Sequence, residues 1–569
     1  MIDEQLRSLV AAAVTSAAEA GEVVAGSAVE FDLTRPKVRE HGDWSVNAAL
    51  VLQKATGRPP RQIAESLVRH MPRPDWVKDV QIAGPGFINF TLSPVWLHDT
   101  CKRVLELGPR FGSSEEGRGA SVNIEFVSIN PTGPLLVSHG RNAALGDSIA
   151  RLLEFTGHRV VREYYFNDGG AQMQLFGASV GHRYRELVGV ASADDFPEDG
   201  YRGAYVYEIA QQILDEDGDV HARVQPDELA GLMRERALPI VMGWIKDVLA
   251  RFGIGFDMWF SETSLYESGA VDEVLKRLKS YGHTYDDEGA MWLRSTDFGD
   301  SRDRVLVRST DGRPTYLVPD LAYHLDKAQR GFSRMVLVVG SDHHGQVPSL
   351  HAGMQALGIP KEMIEVIVYQ FVHVVRGGQP VQMSKRLGTG DSLDELLDQV
   401  GVDAARYTLL QTSPDNVVNF DIELVARQTM DNPVYYVQYA HARIASILRR
   451  AADGGAVEKA PDFDVLVDES EVELMRVISS FEETVTLSAR DRTPHRLTRF
   501  AEDLARRFHR FYTDCRVVTD DADLTSARLA LSRAAKQVLA NCLGLLGVSA
   551  PERMEREPGE PVEQDAVPK

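Results

Sequence analysis

The sequence has few cysteines and no long apolar run, and both shortages exclude classes of protein. The three cysteines lie far apart and form no CxxC pair, which argues against a disulfide framework and against a zinc site. No stretch approaches the apolar length of a membrane-spanning helix. The first residues include acids and lack the basic start and cleavable apolar core of a signal peptide, so they predict a helix. We therefore expect a cytoplasmic protein that does not associate with membranes.

The sequence also has fewer basic than acidic residues. The 569 residues carry a formal net charge of −21, which argues against a nucleic-acid partner because phosphates repel acids. The basic residues nevertheless cluster in the C-terminal third, and a local basic patch can override the overall charge. The length allows about three or four domains of ordinary size, and a hydrophobic content of 43% is typical of globular proteins.

Residues 122–168 contain the unit around which the chain is organised. An apolar, β-rich run at 122–127 is followed by a turn-rich segment, a helical pattern up to about Gly157 and a second β-rich run at 158–166. This order is typical of a parallel βαβ unit. Ligands of such sheets bind outside the carboxyl ends of the strands, beside helix N-termini. The polar residues expected there are Glu125, Ser128, Asn130, Ser138, His139 and Arg141.

The remaining patterns divide the chain into four parts. Residues 1–115 predict an N-terminal α+β domain with a strand pair broken at 84–86. Residues 116–410 predict a Rossmann-like α/β domain with a parallel sheet that includes the run at 304–310, and an acidic, mostly helical insertion at about 172–300 separates its two halves. Residues 411–554 predict an all-α bundle, and residues 555–569, rich in Pro, Glu and Gly, predict a disordered tail.

Two segments resemble a known enzyme family. EFVSINPTGPLLVSHGRNAALGD, followed by VVREYYFNDGG, is similar to the arginyl-tRNA synthetases, a branch of the class I aminoacyl-tRNA synthetases. The first signature of class I reads His, apolar, Gly, His in a loop that opens a helix. His139 matches the last His, whereas Leu136 and Ser138 stand where the family usually has His and Gly.

The resemblance implies that two loops hold ATP. The second loop, QMSKR at 382–386, is similar to the family's Lys-Met-Ser-Lys signature with Gln382 in place of the first Lys. A basic loop can neutralise the leaving pyrophosphate, and an imidazole can donate a hydrogen bond to the developing charge. The residues expected to act in catalysis are His139, Ser384 and Lys385, with Arg386 in support. Those expected to bind ATP are Leu136, Ser138, His139, Gly140, Asp342, His343, His344, Met383 and Lys385.

Adjacent histidines beside an acid, Asp342-His343-His344, also suggest a metal site. The side chains of adjacent residues in an extended chain point to opposite sides, however, and no third possible metal ligand lies at helical spacing from the two histidines. We therefore assign no protein-bound metal and no tightly bound cofactor. ATP would arrive with Mg²⁺ as a substrate.

The resemblance also implies an arginine-binding pocket. Glu125, Ser128 and Asn130 match residues that hold the amino and carboxylate end of the substrate, and Tyr316 and Asp320 match those that grip its guanidinium, a group that favours carboxylate partners. The residues alone leave alternatives open. Tyr316 could be a half-buried strand aromatic, and Asp320 could be the N-cap of a helix at 321–327.

Contacts to tRNA are expected at both ends of the chain. HGDWSVNAAL and AGPGFINF resemble the N-terminal domain of this family, which touches the tRNA elbow. Two basic, aromatic helical patterns near the C-terminus resemble its anticodon-binding domain, and such stripes suit stacking on an unpaired RNA loop. The residues expected to contact tRNA are Tyr439, Arg443, Arg450, Arg506 and Arg510.

The function that the resemblance implies is that of an arginine–tRNA ligase. Its partners would be L-arginine, ATP and tRNA(Arg), it would be a monomer, and it would require tRNA to activate arginine. The replacements at Leu136, Ser138 and Gln382 leave two alternatives. One is a catalytically impaired paralogue that binds tRNA or a protein partner, and the other is a duplicate enzyme that tolerates a nucleotide- or arginine-like inhibitor.

Overall fold

The N-terminal part of the chain contains a small antiparallel sheet covered by helices. The computed structural model describes residues 2–25, 29–36, 38–380, 392–455 and 459–554. The N-terminal elements are α1 (Ile2–Glu19), β1 (Leu33–Thr34), β2 (Trp44–Val46), α2 (Ala48–Thr56), α3 (Pro60–His70), β3 (Val77–Ala83), β4 (Phe87–Leu92) and α4 (Val95–Leu107). The strand order is β1-β2-β4-β3. The strand pair predicted around 84–86 is confirmed, because β3 and β4 form an antiparallel hairpin there.

The central part alternates strands and helices. Its first half comprises β5 (Ser121–Glu125), α5 (Val137–Phe155), β6 (Arg159–Phe166), α6 (Gly170–Leu187), α7 (Ala204–Asp217), α8 (Pro226–Arg251), β7 (Met258–Ser261), α9 (Thr263–Glu267), α10 (Ala270–Ser280), β8 (Thr284–Asp287), β9 (Ala290–Leu293) and β10 (Arg304–Val307). Its second half comprises α11 (Leu317–Gln329), β11 (Arg334–Gly340), α12 (Val347–Ala356), β12 (Ile364–Tyr369), β13 (Val372–Arg376), β14 (Gln379–Pro380), α13 (Leu393–Val400), α14 (Val402–Leu410), β15 (Val418–Asp421) and α15 (Ile422–Ala426).

A five-stranded parallel sheet with the order β12-β11-β5-β6-β7 forms the centre of the fold. The chain extends the sheet from β5 to β7 on one side and then crosses over to add β11 and β12 on the other. The strand order therefore reverses between β5 and β11, the position where open α/β sheets bind ligands. Asn142 of α5 spans this cleft, because it accepts from the backbone N–H of Val127 at 2.7 Å and donates to the carbonyl of Val338 at 2.9 Å. The predicted Rossmann-like α/β fold with a parallel sheet is confirmed.

Two strands differ from the sequence-based prediction. β7 lies inside the predicted insertion at 172–300, yet it pairs with β6 as an edge strand of the parallel sheet. A strand of four residues is too short to be predicted from alternating apolar and polar residues. Its position is stabilised by Trp259, whose ring stacks on Tyr164 at 4.7 Å. β10 was expected in the parallel sheet but pairs antiparallel with β9 in a separate three-stranded sheet. A β-rich run predicts a strand without identifying its partner.

The C-terminal part is a bundle of long helices: α16 (Pro433–Asp453), α17 (Glu469–Ser479), α18 (Phe481–Asp491), α19 (His495–Asp514) and α20 (Ala522–Leu546). The predicted helical domain is confirmed, although β15 lies within the range expected to be all-α and pairs with β13. Within the described ranges, no helix combines the length and hydrophobicity needed to cross a bilayer. The three cysteines are buried free thiols.

Arg406 of α14 joins several parts of the chain. Its side chain is 0% exposed and pairs at 2.5 Å with Asp147 of α5. It also donates to the carbonyl of Phe252, just after α8, at 2.8 Å and to that of Leu546, at the end of α20, at 3.0 Å. A buried guanidinium is stable only with such partners, so Arg406 fixes the bundle against the helix that follows β5.

Gly146 allows α5 to pack closely against the residue that follows β5. A Cβ at Gly146 would overlap the fully buried ring of Phe126. We expect Gly146→Ala to lower the free energy of unfolding by about 1–3 kcal/mol, because the ring must move. Gly231→Ala in α8 is the matched control, since a Cβ there meets no atom within 4 Å and should stabilise the helix by about 0.5–1 kcal/mol. Thermal melting of both variants tests this, and equal shifts would contradict it.

Candidate active site

The loop after β5 has a strained backbone. Val127 and Ser128 are consecutive non-glycine residues with positive φ angles of 66° and 41°, a conformation that costs energy and is often found at functional sites. Two hydrogen bonds from β6 hold the loop. The backbone N–H of Tyr165 donates to Ser128 Oγ at 3.1 Å, and the Tyr164 hydroxyl donates to the carbonyl of Ile129 at 2.9 Å. Ser128 is thereby fixed beside the carboxyl end of β5.

Helices of the predicted insertion support the same loop. Asn130 Nδ2 donates to Gln172 Oε1 of α6 at 2.7 Å, and the hydroxyl of Tyr205 in α7 donates to the carbonyl of Thr132 at 2.9 Å. Gly133 has a φ of 151°, and a Cβ there would lie 2.7 Å from the Tyr205 ring. The insertion is therefore part of the framework that positions the loop.

His139 lies in the first turn of α5. The backbone N–H of Leu136 donates to its Nδ1 at 2.9 Å, so the proton of the neutral imidazole is on Nε2, which is a donor. The N-terminal end of a helix also carries partial positive charge and backbone N–H groups suited to phosphate. Leu136, Ser138 and His139 are half-buried, at the mouth of the cleft between β5 and β11.

The two residues that follow His139 face the interior. A Cβ at Gly140 would lie 2.9 Å from the Leu393 side chain. Arg141 was expected at the mouth of the sheet, but it is 1% exposed and donates to the carbonyls of Gln370 at 2.6 Å and Ser413 at 3.0 Å. Burial lowers its pKa to about 10. Arg141 is therefore not open to a ligand as expected, because its guanidinium is buried against carbonyls just beyond β12, at the carboxyl edge of the sheet, where it supports the fold.

The opposite wall of the cleft follows β11. Residues Ser341–Gln346 form a short 3₁₀-helix that exposes Asp342, His343 and His344. His343 Nε2 lies 3.5 Å from Asp342 Oδ2. Because β11 is the parallel neighbour of β5, these side chains lie at the same edge of the sheet as Ser128. In the described part of the chain, no group of three or more His, Cys, Asp or Glu residues is arranged to hold a metal ion.

The second predicted ATP loop, with Gln382, Met383, Ser384, Lys385 and Arg386, lies outside the described residues. Both of its flanks are described. Before it, β14 pairs with β13, and after it Ser392 forms a β-bridge with Leu136. The backbone N–H of Leu393 also donates to the carbonyl of Leu135 at 2.7 Å. The first described residues after this loop, Ser392 and Leu393, therefore lie beside the start of α5. The roles of Lys385 and Ser384 stay predictions.

Asp320 lies inside α11 rather than at its start. The helix begins at Leu317, so the alternative that Asp320 is an N-cap is wrong. Pro319 concealed this start in the sequence, although proline is well accepted in a first helical turn. Tyr316 occupies the position before the helix and is 66% exposed, so it is not a strand residue. It lies near Tyr266, whose pKa is raised by burial and by Glu262, Asp320 and Tyr316.

Asp320 and three other side chains form what we call the acidic pocket: Glu125, Glu262, Asp320 and Lys327. Lys327 Nζ lies 2.6 Å from Glu125 Oε2. Burial and the charges of Glu125 and Glu262 raise the pKa of Asp320 to about 8, with Lys327 opposing them. The raised pKa values of Asp320 and Glu262 are suited to a cationic ligand, which would return these two carboxylates to the ionised state.

Glu262 was not identified from the sequence. It follows β7, is 8% exposed and accepts a hydrogen bond from the Tyr165 hydroxyl at 2.6 Å. Burial and Asp168 raise its pKa, while the bond from Tyr165 opposes them. Asp168 accepts from Ser261 Oγ at 2.5 Å and from the backbone N–H of Thr263 at 3.0 Å, so it holds the turn that carries Glu262. An acid at the end of a strand is the signal that could have identified it, but β7 itself was not recognised.

The residues predicted to contact tRNA lie mainly along the seam between α16 and α19. Arg443 lies over the rings of Tyr439 at 5.8 Å and Tyr512 at 4.4 Å, and His509 stacks on Tyr439 at 6.0 Å. Arg506 and Arg510 are exposed on α19, and Arg450 is exposed near the end of α16. Burial and Arg443 lower the pKa of His509 to about 4, so the aromatic part of this seam is uncharged and suited to stacking.

Models of three known domain families match successive parts of the chain. Residues 4–92 match the arginyl tRNA synthetase N terminal domain, residues 105–446 match the catalytic domain of tRNA synthetases class I (R), and residues 437–554 match the DALR anticodon binding domain. The second range includes the strained loop, α5 and the acidic pocket, and the third includes the seam between α16 and α19.

Curated relatives align along nearly the whole chain. The Arginine--tRNA ligase of Heliobacterium modesticaldum is 42% identical over 562 residues, which cover 97% of this chain and 99% of the relative. That of Kineococcus radiotolerans is 43% identical over 563 residues, which cover 97% and 100%. Among solved structures, arginyl-tRNA synthetase of Thermus thermophilus has a TM-score of 0.75 at 25% identity and covers 96% of this chain and 100% of its own. That of Plasmodium falciparum, with a TM-score of 0.72 at 16% identity over 97% and 99%, shares the fold.

Proposed function

Because the chain belongs to the arginyl-tRNA synthetase family and is an arginine–tRNA ligase, we propose that the cleft between β5 and β11 is its active site. There L-arginine and ATP, with Mg²⁺, form arginyl-adenylate and pyrophosphate. The terminal ribose of tRNA(Arg) then attacks the activated carbonyl. The acidic pocket at the carboxyl end of β5 is the observation that carries this proposal, since it provides carboxylates for a guanidinium at the edge of the sheet where α5 also begins.

Arginine would lie across the acidic pocket. Its guanidinium would be bound by Asp320 and Glu262, with Tyr316 at the mouth, because planar cations form strong paired hydrogen bonds with carboxylates. Its α-ammonium group would be received by Glu125, and its carboxylate end would lie beside Ser128 and Asn130. These assignments follow from the placement of Glu125 at the end of β5 and of Asp320 on α11.

ATP would lie at the other end of the cleft, between the first turn of α5 and residues 341–346. His139 Nε2–H would donate to the charge that develops at the α-phosphate as pyrophosphate leaves. Asp342, His343 and His344 would line the adenosine side. Little covalent chemistry is required of the protein, since positioning and charge stabilisation carry reactions of this kind.

The test is arginine-dependent ATP–pyrophosphate exchange, with and without tRNA, together with charging of bulk tRNA. We expect charging with arginine, and exchange that depends on added tRNA. An impaired paralogue would bind tRNA without exchange, and Leu136→His with Ser138→Gly would then restore it sharply. The relatives give that alternative no support. Absence of arginyl-tRNA under all conditions would refute the proposal.

The seam between α16 and α19 would bind the anticodon loop. Removing one stacking ring typically costs about 1–3 kcal/mol, so Tyr439→Ala should raise KM for tRNA roughly 5- to 150-fold. Tyr439→Phe keeps the ring and is the matched control, with a KM for tRNA near the wild-type value. KM for ATP should be unchanged in both variants. If Tyr439→Ala left charging kinetics at their wild-type values, this part of the proposal would be wrong.

We further propose that the protein works as a monomer in the cytoplasm. The three free, buried thiols are consistent with a reducing compartment. Sedimentation at several protein concentrations tests the oligomeric state, and a concentration-dependent increase in mass would contradict it.

A further inference from the structure

Lys327 is a buried ammonium in the wall of the acidic pocket. Its side chain is 0% exposed, and its Nζ lies 2.6 Å from Glu125 Oε2 and 4.0 Å from the centre of the Tyr323 ring. Asp320 and Lys327 are both on α11, at a spacing that places them on one face of the helix. A buried cation requires a partner, so the ion pair restrains both side chains.

We propose that Lys327 is a positioning residue for arginine recognition, which holds the Glu125 carboxylate in place and keeps Asp320 available as a carboxylate for the substrate guanidinium. The proposal rests on the proposed function, since it assumes that arginine occupies the acidic pocket. The ion pair engages Oε2 of Glu125, so the α-ammonium group of arginine would be received by Oε1. Lys327 would not touch the substrate itself.

The effect of the Lys327 charge can be measured as a change in the pKa of Asp320. Burial, Glu125 and Glu262 raise the pKa of Asp320 to about 8, and Lys327 is the cation that opposes them. His324 adds no charge, because burial lowers its pKa to about 3. The other titratable or charged groups that face these side chains are Glu163, Tyr165, Glu262, Tyr266, Tyr323 and Arg330.

The sign of the pH dependence follows from the raised pKa of Asp320. The guanidinium stays protonated, and it binds the ionised form of Asp320, so kcat/KM for arginine should rise as pH increases through about 8. Lys327→Met removes the opposing cation and raises the pKa of Asp320 further. The rise in kcat/KM should therefore move upward by about one pH unit or more, while KM for ATP stays unchanged.

Lys327 lies over the Tyr323 ring, so a control must show that the shift in the pH profile does not follow from removing any lysine that lies over an aromatic ring. Lys246→Met removes an exposed lysine whose Nζ lies 5.0 Å over the Trp259 ring, and its pH profile should equal that of the wild type. A purely structural role for Lys327 would lower the active fraction without moving the midpoint. A wild-type midpoint in Lys327→Met would overturn the proposal.

Lys327→Met leaves a buried carboxylate without its cation and can fail to fold. Lys327→Met with Glu125→Gln removes both charges and keeps the test available. Because Lys327 also opposes the raised pKa of Asp320, the midpoint of the double variant should lie above that of Glu125→Gln alone, and equal midpoints would overturn the proposal. If arginine does not occupy the acidic pocket, Asp320→Asn would leave kcat/KM for arginine unchanged. That result distinguishes failure of the proposed function from failure of the proposal for Lys327.

Discussion

Above pH 8, Asp320→Asn is expected to lower kcat/KM for arginine roughly 100- to 1,000-fold. Removing one partner of a buried, hydrogen-bonded charge pair costs about 3–4 kcal/mol, and Asp320 is the half-buried carboxylate that we assign to the guanidinium, which would cover it. The substitution keeps the size of the side chain, so the fold should be retained. KM for ATP should change little, because we propose that ATP binds at the other end of the cleft. Exchange kinetics over a range of arginine concentrations measure both constants.

The effect of Asp320→Asn should also grow with pH. The pKa of Asp320 is raised to about 8, so at neutral pH the wild-type side chain is mostly protonated and resembles asparagine. Above pH 8 the carboxylate predominates and the wild type gains an advantage that the variant lacks. Asp272→Asn, an exposed position on α10, is the control and should show wild-type kinetics. A ratio between wild type and Asp320→Asn that is constant with pH would show that Asp320 does not bind the guanidinium.

His139→Asn is expected to slow adenylate formation roughly 100- to 1,000-fold, which is the cost of about 3–4 kcal/mol for one lost transition-state donor. The asparagine side-chain oxygen can still accept from the backbone N–H of Leu136, as Nδ1 does now, so the start of α5 should remain intact. The donor at Nε2 is lost. Single-turnover exchange with saturating substrates measures the rate, and thermal melting checks the helix.

His139→Gln is the matched variant, since its amide nitrogen can approach the position of Nε2 while the contact with Leu136 is lost. It should retain more of the rate than His139→Asn and lose more stability. If both variants lost the same rate, or if His139→Asn kept wild-type turnover, the donor role of His139 would be refuted.

The central βαβ unit could be predicted from sequence because its signals are local. The apolar run before Ser128, the helical spacing in α5 and the stop at Gly157 define the strand, loop, helix and strand. The mouth of the parallel sheet follows from that order alone. The same reasoning placed Glu125 and His139 at one edge, and the structure has both there.

The remaining parts of the site depend on contacts between residues that are distant in sequence. Glu262 enters the acidic pocket only because β7 pairs with β6, and four residues give too short a pattern to predict that pairing. The burial of Arg141 was not predicted because polarity alone does not show that a guanidinium is bound by carbonyls. The sequence predicted a helix at 321–327 with Asp320 as its possible N-cap, but the helix begins at Leu317 and Pro319 concealed its first turn.

The guanidinium of Arg406 restricts how this enzyme can be divided or recombined. It is bonded at once to α5, to the residue after α8 and to the end of α20. A protein shortened to its catalytic part would leave this charge buried and short of partners, a loss that typically costs several kcal/mol. Exchanging anticodon-binding domains between relatives would therefore succeed only if the incoming last helix presented its terminal carbonyl at the same place.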